Sequence, residues 1–178
     1  TEAGDLQKKV QGFTPKQLKI INNAPELIQQ MRDIGTNLGQ MDAALRLKNA
    51  DAARQALDQA RSSFDKLNPV VRQTERDLKS LGGQFDALKN KVSGFAPRDL
   101  KLIGDTPQLN AQLQSVKTNL QEMRVALDAQ DGTKAKAAYE KANQGLTELK
   151  GGLKSTRESL AEHDKAVNRT AVATESNI

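Results

Sequence analysis

The stretch GFTPKQLKIINNAPEL at residues 12–27 recurs 82 residues later as GFAPRDLKLIGDTPQL at residues 94–109. Gly12, Phe13, Pro15, Leu18, Lys19, Ile21, Pro25 and Leu27 are matched by Gly94, Phe95, Pro97, Leu100, Lys101, Ile103, Pro107 and Leu109. A fixed repeat period sets the architecture, so the rest of the chain is read against it. Gly12 reads as a helix stop with positive φ. Thr14-Pro15 reads as an N-cap followed by a proline at the first helical position. A short helix over 15–21 is expected next, and Ala24-Pro25 opens another. Phe13, Leu18 and Ile21 are expected to be buried as a lid over the end of a bundle. Ala96-Pro97 and Asp105-Thr106-Pro107 give the second copy the same reading. Upstream, Leu6, Lys9 and Val10 align with Leu88, Lys91 and Val92. The first repeat therefore reads as truncated at its first helix.

Beyond the repeated phrase, apolar residues follow a strict alternation of four and three. Leu27, Met31, Ile34, Leu38, Met41 and Leu45 form one seam over 25–48. Leu109, Leu113, Val116, Leu120, Met123 and Leu127 form its copy over 107–130. This seven-residue spacing marks a coiled coil or slender bundle. Each seam ends in a short polar turn, at residues 49–51 and 131–133, so the next helix should run back antiparallel. The following seam runs Ala53, Leu57, Ala60, Phe64, Leu67, Val71, Thr74, Leu78, Leu81, Phe85, Leu88, Val92. It does not slip across Asn68-Pro69, whereas a reversing loop has no reason to keep register. One helix over about 51–92, with a kink near Pro69, is expected. Its copy runs Ala135, Tyr139, Ala142, Leu146, Leu149, Leu153, Thr156, Leu160, His163, Val167, with Gly151-Gly152 at the weakened joint. Thr74 and Thr156 share a seam position, where each can bond its own helix's carbonyl four residues back.

The fold class that follows is all-α. Two tandem repeats of about 82 residues form elongated antiparallel three-helix bundles joined by a long shared helix. This connectivity is similar to that of spectrin-type repeats. The likeness lies in topology alone: the repeat here is shorter, and the tryptophan that marks spectrin repeats is absent. The expected divisions are a first repeat at 1–68, a second at 69–150, a terminal helix at 151–168 and a disordered tail at 169–178.

Composition agrees with helix and narrows function. The 178 residues are 37% hydrophobic and 28% charged, with four Phe, one Tyr and no Trp. That is too polar for one large core. With no Cys there is no disulfide, thiolate metal site or cysteine nucleophile. No apolar run is long enough to span a membrane. The net charge of +5 arises from 27 basic and 22 acidic residues. Such a mild, interspersed balance makes nucleic acid an unexpected partner. The small polar start Thr1-Glu2-Ala3-Gly4 suits cleavage after a signal peptide, so an extracytoplasmic (periplasmic or secreted) location is expected.

No Ser-His-Asp spacing, P-loop or GxGxxG is present, and the acidic residues lie off the inner seams, so an enzyme is not expected. His163, the sole histidine, could with Met31, Met41 or Met123 ligate a haem as in b-type cytochromes. A single His without an ExxH partner makes a poor site, and no metal or cofactor is expected. Lys16 and Lys19, with Arg98 and Lys101, recur in the repeated phrase and form a candidate anion- or partner-binding patch. Leu6, Val10, Leu153, Thr156, Leu160, His163 and Val167 form a candidate interface seam, because helices at either end lack an expected neighbour. The function that results is a non-enzymatic scaffold, adhesion or assembly subunit that binds proteins, copies of itself included. The alternatives are a small-ligand or cofactor-binding helical bundle and an electrostatic binder of nucleic acid or anionic polymer.

Overall fold

The computed structural model describes residues 1–176, with side chains as far as residue 170. Among the described residues there are seven helices and no strand, so the chain is all-α. They are α1 (Glu2–Gln11), α2 (Pro15–Asn22), α3 (Pro25–Arg46), α4 (Ala50–Ser93), α5 (Pro97–Asp105), α6 (Pro107–Asp128) and α7 (Gly132–Ser176). The starts of α2, α3 and α4 recur 82 residues later as the starts of α5, α6 and α7.

Helix α4 passes through Pro69 without a break over its 44 residues. A proline inside a helix removes one backbone hydrogen bond and costs about 3 kcal/mol. That cost is offset by the side chains on either side, since Leu67 and Val71 are fully buried. The continuous register read from the sequence is thus the observed one. Helix α7 likewise runs through Gly151-Gly152. It also continues to Ser176, so the expected disorder from 169 is corrected to helix as far as that residue. Residues 177–178 of the expected tail lie outside the described residues.

The two long reversals are built identically. Lys48 (φ 57) and Gln130 (φ 56) hold the left-handed conformation one repeat apart. Asn49 N–H donates to Ala44 O at 2.8 Å, and Asp131 N–H donates to Ala126 O at 2.9 Å. These are the six-to-one bonds of a Schellman ending. Each residue then caps the following helix through its side chain. Asn49 Oδ1 accepts from Ala52 N–H and Asp131 Oδ1 from Lys134 N–H, both at 3.1 Å. Helices α3 and α6 therefore stop two residues short of the sequence-based ends at 48 and 130.

The glycines of the repeated phrase work differently from expectation. Gly12 has φ −78, and no glycine has positive φ among the described residues. A Cβ at Gly12 would stand 3.1 Å from Lys8 O, and one at Gly94 would stand 3.0 Å from Asn90 O. Glycine is needed there for close approach to the preceding turn, not for a left-handed backbone.

The chain forms two compact units. The first comprises Thr1–Gly83 with Arg124–Lys136, and the second Gln84–Met123 with Ala137 onward. Neither unit breaks at 68/69 or 150/151. In the first unit, Met41 and Ala44 pack with Ala53 and Ala56 beside the α3–α4 turn. Farther from it, Leu27 and Ile34 pack with Ala60, Phe64, Leu67 and Val71. Near residues meet near and far meet far, so α4 runs back antiparallel along α3. Helix α1 contributes Leu6 and Val10, and α2 contributes Ile20 and Ile21. In the second unit Leu109, Leu113, Val116 and Leu120 pack with Ala142, Leu146, Leu149 and Leu153, joined by Leu88 and Ile103.

Candidate functional site

The corner where a short helix precedes a 22-residue helix is the best-defined polar feature of each unit. In the first, Thr14 and Gln17 form a capping box: Gln17 N–H donates to Thr14 Oγ1 at 3.2 Å, and Thr14 N–H donates to Gln17 Oε1 at 2.8 Å. The other end of the same amide, Gln17 Nε2, donates to Glu75 Oε1 at 2.7 Å. This latches α2 to α4. In the second unit Asp99 takes the place of Gln17 and Arg157 that of Glu75. Arg157 Nε donates to Asp99 Oδ1 at 3.0 Å, and its Nη2 pairs with Asp99 Oδ2. The bidentate pair leaves Asp99 only 9% exposed. The latch is kept while its chemistry changes from amide–carboxylate to guanidinium–carboxylate.

Above the latch the two corners diverge. In the first unit the α6–α7 turn sits on the corner. Asn23 Nδ2 donates to Ala129 O at 2.7 Å, and Leu127 packs against the core. Gly132 stands so close to α4 that a Cβ there would lie 3.6 Å from Thr74 Cγ2 and 4.0 Å from Leu78 Cδ2. Beneath this turn Ile20 is 2% and Leu78 6% exposed. In the second unit the equivalent Leu102 is half-buried and Leu160 is 47% exposed.

The expected interface seam is accordingly divided. Leu6 and Leu153 are core residues of their own units, and Val10 packs against the first core. Thr156 is half-buried and donates from Oγ1 to Gly152 O at 2.8 Å, as Thr74 does to Val70 O at 2.9 Å. Leu160, His163 and Val167 face solvent on α7, with Val167 51% exposed. His163 is thus on the surface while Met41 and Met123 are in cores. The lid is also corrected: Ile20 is buried where Leu18 was expected, and Leu18 and Leu100 are exposed. Phe13 is buried and stacks obliquely on Phe64, with ring centroids 6.0 Å apart.

Lys16 and Lys19 lie exposed on α2, and Arg98 and Lys101 on α5, flanking Leu18 and Leu100 respectively. Each unit therefore carries one basic pair beside one exposed leucine. An open groove of about 300 Å³ in the first unit is lined by Asp33, Thr36, Asn37, Gln59, Ser62 and Ser63. Two further residues escaped the sequence reading. Gln30 and Gln112, one repeat apart, bury Oε1 atoms that have no hydrogen-bond partner among the described residues. Their equal spacing from the repeated phrase was the available signal. No group of three His, Cys, Asp or Glu residues suited to a metal ion occurs among the described residues. No helix there is long and apolar enough to cross a membrane. Comparison with family models, with curated proteins and with solved structures finds no match to this chain.

Proposed function

We propose that this chain is a non-enzymatic helical-repeat module that acts through protein–protein association, as a scaffold, adhesion or assembly subunit. One observation carries the reading. The α7 seam that buries Leu146, Leu149 and Leu153 continues into Leu160 and Val167, each about half exposed at 47% and 51%. An amphipathic helix gains most of its stability from packing its apolar face. A seam that keeps its spacing beyond its own core is suited to a partner's surface. The basic pairs Lys16/Lys19 and Arg98/Lys101 serve this reading as the charged margin of such a surface, where charge governs partner choice and encounter rate.

A photo-reactive benzoylphenylalanine placed at 160 or 167, in the organism that makes the chain, is expected to capture a discrete protein adduct. The same group at Lys141, on the solvent side of α7, serves as control. If neither 160 nor 167 captures protein while the variants keep native helical content, the association reading is wrong.

A further inference from the structure

We infer that the exposed corner of the second unit is a docking site for the α3–α4 turn of a second copy of this chain, joined head to tail. The inference rests on the association reading above and names its partner. Its template lies within the chain, in the seating of the α6–α7 turn on the α2/α4 corner. The contacts there are the Asn23–Ala129 hydrogen bond, the packing of Leu127, and the close approach of Gly132 to Thr74 and Leu78.

Both halves of that contact recur one repeat away, each without its mate. The receiving corner recurs as Leu102, Ile103, Asp105, Thr156 and Leu160, and the Asp99–Arg157 latch shows that it is assembled in the same way. The inserting turn recurs as residues 45–50. It has the same Schellman closure and the same left-handed residue, Lys48 in place of Gln130. In the seated turn Leu127 packs against a core; in the other, its counterpart Leu45 is 56% exposed and the adjacent Leu47 81%. An apolar knob is left without a hole on the first unit, and an apolar hole without a knob on the second.

The substitutions at the contact suit pairing between copies. Ala50 occupies the position of Gly132. A Cβ there meets Thr74 and Leu78 at 3.6 and 4.0 Å, which is ordinary van der Waals contact, so alanine at 50 fits against Thr156 and Leu160. Asp105 replaces Asn23 and cannot donate to a carbonyl as the amide does. The turn it would meet has also changed, since Lys48 brings an ammonium where Gln130 has an amide. Lys48 adjoins Leu47, whose carbonyl corresponds to Ala129 O, so a carboxylate–ammonium pair between Asp105 and Lys48 would take over from the amide–carbonyl hydrogen bond. The contact joins two different surfaces, so it propagates head to tail from copy to copy and does not satisfy itself in a two-fold dimer.

The repeat register carries a structural consequence. Residues 166–175 of α7 and residues 2–11 of α1 both correspond to residues 84–93 of α4. When the seat fills, the end of α7 competes with α1 of the neighbouring copy for the same place against α3 and α4. Helix α1 is held by Ala3, Leu6, Val10 and an exposed Arg61–Glu2 ion pair, a contact small enough to yield.

The chain has no cysteine, so engineered cysteines report without background. Ala50→Cys and Thr156→Cys are made in separate full-length chains, mixed at high concentration and oxidised. In the template a Cβ at Gly132 lies 3.6 Å from Thr74 Cγ2, so seating brings positions 50 and 156 close enough for a disulfide to be tried between them. The expected result is a mixed disulfide dimer, with ladders of higher multimers from the double variant. Lys48→Asp should lower the yield several-fold, and pairing it with Asp105→Lys should restore it. Amide exchange of α1 should rise as the chains associate. Homodimers of the Thr156→Cys chain formed as fast as mixed dimers would point to α7–α7 pairing and overturn the inference while leaving the association reading intact. So would a photo-adduct at 160 with a different protein and no 50–156 link. Absence of any 50–156 link at the highest concentration, with both variants folded, also overturns the inference.

Discussion

Leu78 and Leu160 occupy the same repeat position with opposite burial, 6% and 47% exposed, and one substitution separates their roles. Leu78→Ala removes side-chain atoms from a packed site where α4 meets the α6–α7 turn, with Gly132 a close neighbour. Truncating a buried leucine costs about 2–5 kcal/mol, the spread reflecting how far the site can collapse. The turn above Leu78 can settle partway into the space, so about 3 kcal/mol is expected. For a chain of this size that lowers the melting midpoint by roughly 6–12 °C. Leu160→Ala removes the same atoms from a half-hydrated site and should cost less than about 1 kcal/mol in dilute protein. Urea unfolding followed by circular dichroism at 222 nm measures both. The m-value guards against a change from joint to separate unfolding of the two units. Equal destabilisation by the two substitutions in dilute protein would refute the asymmetry on which the open corner rests. The converse holds at high concentration, where Leu160→Ala should impair association.

Further substitutions test the local chemistry. The Asp99–Arg157 latch should show a coupling energy of about 1–2 kcal/mol in a double-mutant cycle with alanine, since charge-assisted hydrogen bonds contribute more than neutral ones but Arg157 stays partly hydrated. Salt should weaken it more than the Gln17–Glu75 latch. Gly151→Ala, with nothing within 4 Å of the new Cβ, should stabilise the chain by about 0.5–1 kcal/mol. Gly152→Ala places a Cβ 2.8 Å from Leu109 Cδ2, and an overpacking cost of about 1–3 kcal/mol should cancel or reverse that gain. Lys48→Gly should stabilise by about 0.5–1 kcal/mol, because a left-handed backbone penalises any side chain and glycine's added flexibility recovers only part of the relief. Thermal melts of each variant check the signs.

How much of this was legible in the sequence follows from where the deciding physics resides. Seam periodicity is a one-dimensional record of burial, so α4 and α7 could be read across Pro69 and Gly151-Gly152, and the back-bonded threonines could be read from their place on it. Conformations carried by residues of low preference left no such record. Nothing in Lys48 or Gln130 announces a positive φ, whereas Gly12 and Gly94 suggested one and proved to be sites of close approach. Leu18 and Leu100 recur in the repeated phrase, yet recurrence does not say which way a side chain faces. The latch was hidden for another reason: Gln17–Glu75 and Asp99–Arg157 are 58 residues apart and share no residue type. The open corner is invisible from either repeat alone, since it appears only when Leu78 and Leu160 are compared in place.

The most direct test of the head-to-tail association claim is mass against concentration, by sedimentation velocity on the full chain with Leu160→Asp as comparison. Open head-to-tail pairing predicts an average mass that rises steadily with concentration without a plateau at dimer, and a Leu160→Asp chain that stays monomeric. A wild-type mass fixed at that of one chain across the whole range, or one that levels at two, would contradict it.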